Sequence, residues 1–186
     1  LVPSAQAFVF FWLGQFDDVA SRVVFAAFFA SGAMILWWLL SELQAKRRWV
    51  WVVWWCALPA LMEQVKITYA DLPLAVYLLV FYGALTAWLR EPARRDWLWL
   101  AGIFGGMAFW VKQDAMIGVG AGLLALMIAR KLSWKLVLIV GLIATPWRML
   151  VVAMNLPSDF ALKFADMPLK TAQVAQALWQ HGIAGG

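Results

Sequence analysis

Seven side chains in this 186-residue chain have the types to do chemistry and sit inside otherwise apolar sequence. Glu63, Lys66, Tyr69 and Asp71 fall in EQVKITYADLPL, Lys112 and Asp114 in WVKQDAM, and Arg148 in TPWRML. An ionisable group at membrane depth is costly and marks a functional position by default. Lys66, Lys112 and Arg148 are the cations that could hold a phosphate or diphosphate. Asp71, Glu63 and Asp114 are the carboxylates that could take a proton from an attacking hydroxyl or ligate a divalent cation. Each also has a plainer role. Glu63 and Lys66 stand at the i,i+3 spacing of a helical ion pair. Asp71, two residues ahead of Pro73, suits the start of a helix, where an anion is favoured. Lys112 and Asp114 suit an internal pair, and Arg148 an interface anchor.

The elements that must position these groups follow from composition. The chain is 65% hydrophobic and 13% charged, with 14 Trp, a balance that belongs to an integral membrane protein. The expected fold is all-α, a polytopic transmembrane helix bundle of about six spans with a short interfacial N-terminal helix. The spans are placed at about Arg22–Leu43, Trp49–Gln64, Asp71–Trp88, Trp97–Val111, Met116–Ala129 and Leu136–Asn155. Lys46, Arg47 and Arg48, then Arg90, Arg94 and Arg95, then Arg130, Lys131 and Lys135 fall in alternate connections, which the positive-inside rule assigns to the cytoplasmic side. Trp37, Trp38, Trp49, Trp51, Trp88, Trp97, Trp99 and Trp134 lie near the same ends, as an aromatic belt does. The charge of +5 thus reports orientation, and no nucleic-acid partner is indicated. Cys56 stands alone and excludes an internal disulfide. Phosphate loops, zinc spacings and nucleophile elbows are not found.

Helix rise converts this layout into depth. At 1.5 Å per residue Asp71 lies about 28 Å from Arg90, Glu63 about 22 Å from Arg48, and Lys112 about 26 Å from Arg95. The charged groups then share one outer-leaflet layer and should face one another or water, in a recess open to the outer face. Gly102 with Gly106 and Gly118 with Gly122 give the two arms of a short hairpin small faces for close packing. A rival class, a transporter or channel, is disfavoured because the charges keep to one layer and no span shows a midplane interruption; a third, a non-catalytic membrane subunit, predicts that removing these charges leaves the parent protein's activity intact.

Three segments result: 1–20 an outer-face or interfacial helix and loop, 21–155 the transmembrane bundle, and 156–186 the start of an outer-face, periplasmic segment. Asp17 and Asp18 are expected to cap the next helix, and His181 to lie on the surface. The start, LVPSAQAF, has no basic leader, so the chain reads as an internal fragment of a longer protein.

The succession G-x-F-D-D-x-x-x-R from Gly14, TYADLPLA from Thr68, GGMAFWVKQDAM from Gly105 and TPWRMLVVAMN from Thr145 resembles the dolichyl-phosphate-mannose-protein mannosyltransferase type of membrane glycosyltransferase. That is the C-type glycosyltransferase superfamily, which includes aminoarabinose transferases. The resemblance covers about residues 1–156. It implies a polyprenyl-phosphate-linked sugar donor, a glycan, lipid or protein acceptor, transfer at the outer face of a bacterial inner membrane, and a divalent cation. By the same resemblance Asp71 is similar to a second acidic residue near metal or acceptor, and Lys112 with Asp114 to a pair at a luminal turn near the lipid phosphate. The family's principal catalytic Asp belongs to a first outer loop upstream of Leu1, a place that Asp17 and Asp18 do not hold.

Overall fold

The structure, a computed structural model, describes residues 2–15, 17–67 and 70–153. Among the described residues the chain is all helical, with α1 (Val2–Leu13), α2 (Asp18–Glu42), α3 (Arg48–Ala57), α4 (Pro59–Ile67), α5 (Asp71–Arg90), α6 (Arg95–Val111), α7 (Ala115–Ile128) and α8 (Trp134–Ala153). The chain divides at Arg148, where a second compact unit begins. Tyr69, His181 and the expected segment 156–186 lie outside the described residues.

Three helices are long and apolar enough to cross a membrane: Arg22–Glu42 within α2, then α5 and α8. The other expected spans are shorter. α6 has 17 residues and α7 has 14. The stretch from Trp49 to Gln64, expected as one uninterrupted span, is two helices of 10 and 9 residues. Pro59 is the cause. It has no N–H to continue the ladder, and its ring pushes the preceding Leu58 into extended backbone at φ −69°, ψ 111°. The expectation that no span is interrupted is therefore corrected at Leu58.

Helix ends follow local chemistry. The Asp17 carboxylate accepts the N–H groups of Val19 at 2.9 Å and Ala20 at 3.1 Å, so Asp17 caps α2 as expected. At the other end of α2, Gln44 turns left-handed at φ 51° while the Ala45 N–H donates to Leu40 O and the Gln44 N–H to Ser41 O. α7 closes identically, with Arg130 at φ 54°, Lys131 N–H on Leu126 O and Arg130 N–H on Met127 O. Pro73 sits in the first turn of α5, where a missing N–H costs nothing.

Packing makes α5 the centre. Half of its spanning window is buried inside the protein, against 17% for α2 and 22% for α8. Phe81 and Ala84 are fully buried in a core shared with Ala101, Ala108, Val119 and Leu136. A second cluster, Phe25 and Leu72 with Leu61, Val65 and Val111 against them, draws together the start of α2, α4, the start of α5 and the end of α6. Glycines decide which helices meet. A side chain at Gly102 or Gly106 would strike Ile139 or Ile143 of α8, and one at Gly118 or Gly122 would strike Leu78 or Phe81 of α5. The two small faces of the expected hairpin thus serve different partners, α8 and α5.

The three basic turns meet at one end of this unit. Arg90 donates to Leu43 O at 2.6 Å, Arg94 lies 3.5 Å from Glu42, and Pro92 and Lys131 line one groove. Helices leaving that end place their far termini together at the opposite end, where the charged residues of the candidate site lie.

Candidate functional site

Three of the seven residues come together, each from a helix boundary. Asp71 is the first residue of α5, Lys112 the residue that ends α6, and Asp114 the residue that precedes α7. Lys112 leaves the helical conformation at φ −155°, ψ 146°, while its N–H still donates to Ala108 O at 3.2 Å. That kink, followed by the tight turn Gln113–Asp114, lets one side chain reach two others. Lys112 Nζ donates to Asp71 Oδ1 at 2.5 Å and stands 3.2 Å from Asp114 Oδ2. Residues 41 positions apart in sequence are joined by an ammonium between two carboxylates.

The group is partly open. Side-chain exposures are 31% for Lys112, 45% for Asp71 and 33% for Asp114, so ligands from water can reach it and solvent screens it. The hydrogen bond to Asp71 holds the Lys112 ammonium above the ordinary lysine range, against the opposing effect of burial, with Asp114 adding in the same direction. A raised lysine pKa stabilises the fold fully below pH 10.5 and is lost as pH rises through the folded value.

The remaining residues are placed differently. Glu63 and Lys66 are both exposed on α4, and among the described residues they make no ion pair with each other. Arg148 belongs to the second unit. The recess expected from six charged groups is, among the described residues of the first unit, the Asp71–Lys112–Asp114 group alone.

Gln113 carries no charge to mark it in the sequence, yet among the described residues its Oε1 is buried without a hydrogen-bond partner, as is Gln64 Oε1. The position of Gln113, between the two charged residues of the turn, was the available signal. Asp71 and Asp114 supply the hard oxygen ligands that a divalent cation takes, with Lys112 standing between them. Among the described residues no third His, Cys, Asp or Glu joins the two. Neither protein families, nor characterised proteins, nor solved structures give a match to this chain.

Proposed function

We propose that this chain is part of a membrane glycosyltransferase that moves a sugar from a polyprenyl-phosphate donor to a hydroxyl of a glycan, lipid or protein at the outer face of a bacterial inner membrane. The single observation that carries this reading is the Lys112 bridge between Asp71 and Asp114 at the end opposite the basic turns. Sugar transfer from a lipid phosphate breaks the bond between the anomeric carbon and the phosphate oxygen and forms one to the acceptor oxygen. A proton must leave the acceptor, and negative charge must be held on the departing phosphate. Asp71, at 45% exposure the most open of the three, is the carboxylate that the resemblance sets near the acceptor or a metal. Lys112 has three N–H donors, two directed to the carboxylates; the third is the one for a phosphate oxygen. Asp114 orients the ammonium. A divalent cation, as the resemblance implies, would be held by Asp71 and Asp114 only once Lys112 has moved from between them, and would then neutralise phosphate charge in its place.

Transport is the second reading, and the interruption at Leu58 favours it, because broken helices carry ion and substrate sites in transporters. The surroundings of the break weaken it. Leu58 lines a groove with Leu36, Leu40, Trp51, Trp54 and Trp55, which offers a solute no charged side chain.

Asp71→Asn in the full-length protein separates these readings. Membranes carrying the variant should insert the protein normally and transfer no labelled sugar from a polyprenyl-phosphate donor, while Glu63→Gln, on exposed α4, stays close to wild type. Undiminished transfer by Asp71→Asn would remove that carboxylate from the reaction. Uptake of label by vesicles with no sugar on any acceptor would favour transport.

A further inference from the structure

The basic end carries charge that its own carboxylates do not balance. Nine cations gather there, and the acids at that end are Glu42, Glu91 and Asp96. All three acids act around one residue. Arg94 pairs with Asp96 at 3.0 Å and Glu42 at 3.5 Å and feels Glu91 as well. Arg48 is turned inward onto Ser41 Oγ at 2.6 Å and over the Trp37 ring, and Arg90 onto Leu43 O. Arg130 and Lys131, like Lys46, Arg47, Arg95 and Lys135, are exposed, and among the described residues none of these pairs with a carboxylate; Lys131 alone among them lines one of the described grooves.

Beneath Lys131 lies a groove of about 240 Å³, lined by Trp88, Leu89, Pro92 and Lys131. It is apolar except at its lysine edge. Exposed Trp134, with Lys135 over its ring at 6.0 Å, starts the next helix, and Trp at a helix end marks the level of lipid headgroups. The backbone adds a second observation. Arg130 holds φ 54°, a left-handed conformation that disfavours residues other than Gly. The turn carries a cation where its geometry prefers glycine, and its paired N–H bonds to Met127 O and Leu126 O fix the backbone of Arg130 next to that of Lys131, the residue that lines the groove.

We propose that this groove binds an anionic phospholipid, its acyl chain along Trp88, Leu89 and Pro92 and its headgroup phosphate on Arg130 and Lys131. The inference rests on the membrane reading of the helices and is independent of sugar transfer. A zwitterionic lipid could fill the apolar part but would leave the two cations unbalanced. Free phosphate could meet the cations but would leave the groove empty.

The test follows the unfolding midpoint of the purified full-length chain in detergent against added phosphatidylglycerol, phosphatidylcholine of the same acyl chains, or inorganic phosphate. Phosphatidylglycerol should raise the midpoint at concentrations where the other two do not. Each cation near an anionic headgroup contributes about fivefold, so Arg130→Gln with Lys131→Gln should weaken phosphatidylglycerol about thirtyfold. Lys46→Gln, at the same end but outside the groove, should change it less than twofold, because charge acts over a Debye length of about 8 Å. Unchanged affinity in the double variant would overturn the proposal. So would an equal loss in Lys46→Gln, the mark of a diffuse surface potential, or an equal shift with inorganic phosphate.

Discussion

Replacing Lys112 with Met keeps an unbranched chain of similar length and removes the charge between Asp71 and Asp114. The Nζ atom stands 2.5 Å from one carboxylate and 3.2 Å from the other, so without it two anions face each other across the space it filled. Two unit charges about 5 Å apart at an effective dielectric of about 20 repel by roughly 3 kcal/mol. With side chains between 31% and 45% exposed, solvent and salt reduce this to about 1–2 kcal/mol. For a chain of this size that is a fall of about 2–8 °C in unfolding midpoint, measured in detergent at pH 7. Coupling is the sharper readout. Asp71→Asn alone removes one partner and leaves Lys112 on Asp114, so its cost is small. In the Lys112→Met background the same change removes the repulsion and should recover at least half of the lost stability. The double-mutant cycle then shows a coupling of about 1 kcal/mol or more. Additivity within about 0.5 kcal/mol would refute the bridge as an energetic unit and would take the proposed electrostatic role with it.

Two further substitutions test how the elements are held. Gln44→Gly, at φ 51° after α2, relieves a left-handed residue and should stabilise the protein by about 1 kcal/mol in a thermal or urea titration, whereas a loss would show that the Gln side chain matters more than its backbone. Gly106→Ala places a Cβ 2.6 Å from Ile143 Cβ and 3.1 Å from Val140 O, and should cost about 1–3 kcal/mol by forcing α8 from α6. Its control is Gly120→Ala on α7, where nothing among the described residues lies within 4 Å and the better helix former should leave stability equal or higher. Equal effects at the two glycines would contradict the packing of α6 on α8.

How much of this was legible in the sequence depends on the range of the physics involved. Basic turns separated by apolar runs report a shared end because charge is excluded from the bilayer core, and the contacts of Arg90 with Leu43 and of Arg94 with Glu42 join two of those turns. Asp71 and Lys112 could be set at one level by counting residues, since each lies nearly a full helix away from that end. Counting fails where the local backbone departs from the helix. The apolar run containing Leu58 reads as continuous to any hydropathy window, and one missing N–H at Pro59 divides it. Partner choice is harder still. The small faces of α6 and α7 are visible as spacings, but which helix fills each depends on the complementary bulk of Ile139, Ile143, Leu78 and Phe81 elsewhere in the chain.

The role of Lys112 was hidden for a related reason. Its neighbour Asp114 suggests a local pair, and Asp71 is remote in sequence; only the extended backbone at Lys112 lets the same ammonium serve both. This geometry makes one group responsible for two tasks. Held by both carboxylates, Lys112 ties the end of α6 to the starts of α5 and α7. A phosphate oxygen arriving at its remaining N–H would compete with two carboxylates for one ammonium. Binding of an anion there must therefore loosen one of the two ion pairs or bring its own counter-charge, so affinity at the site and the tie between the three helix ends are opposed.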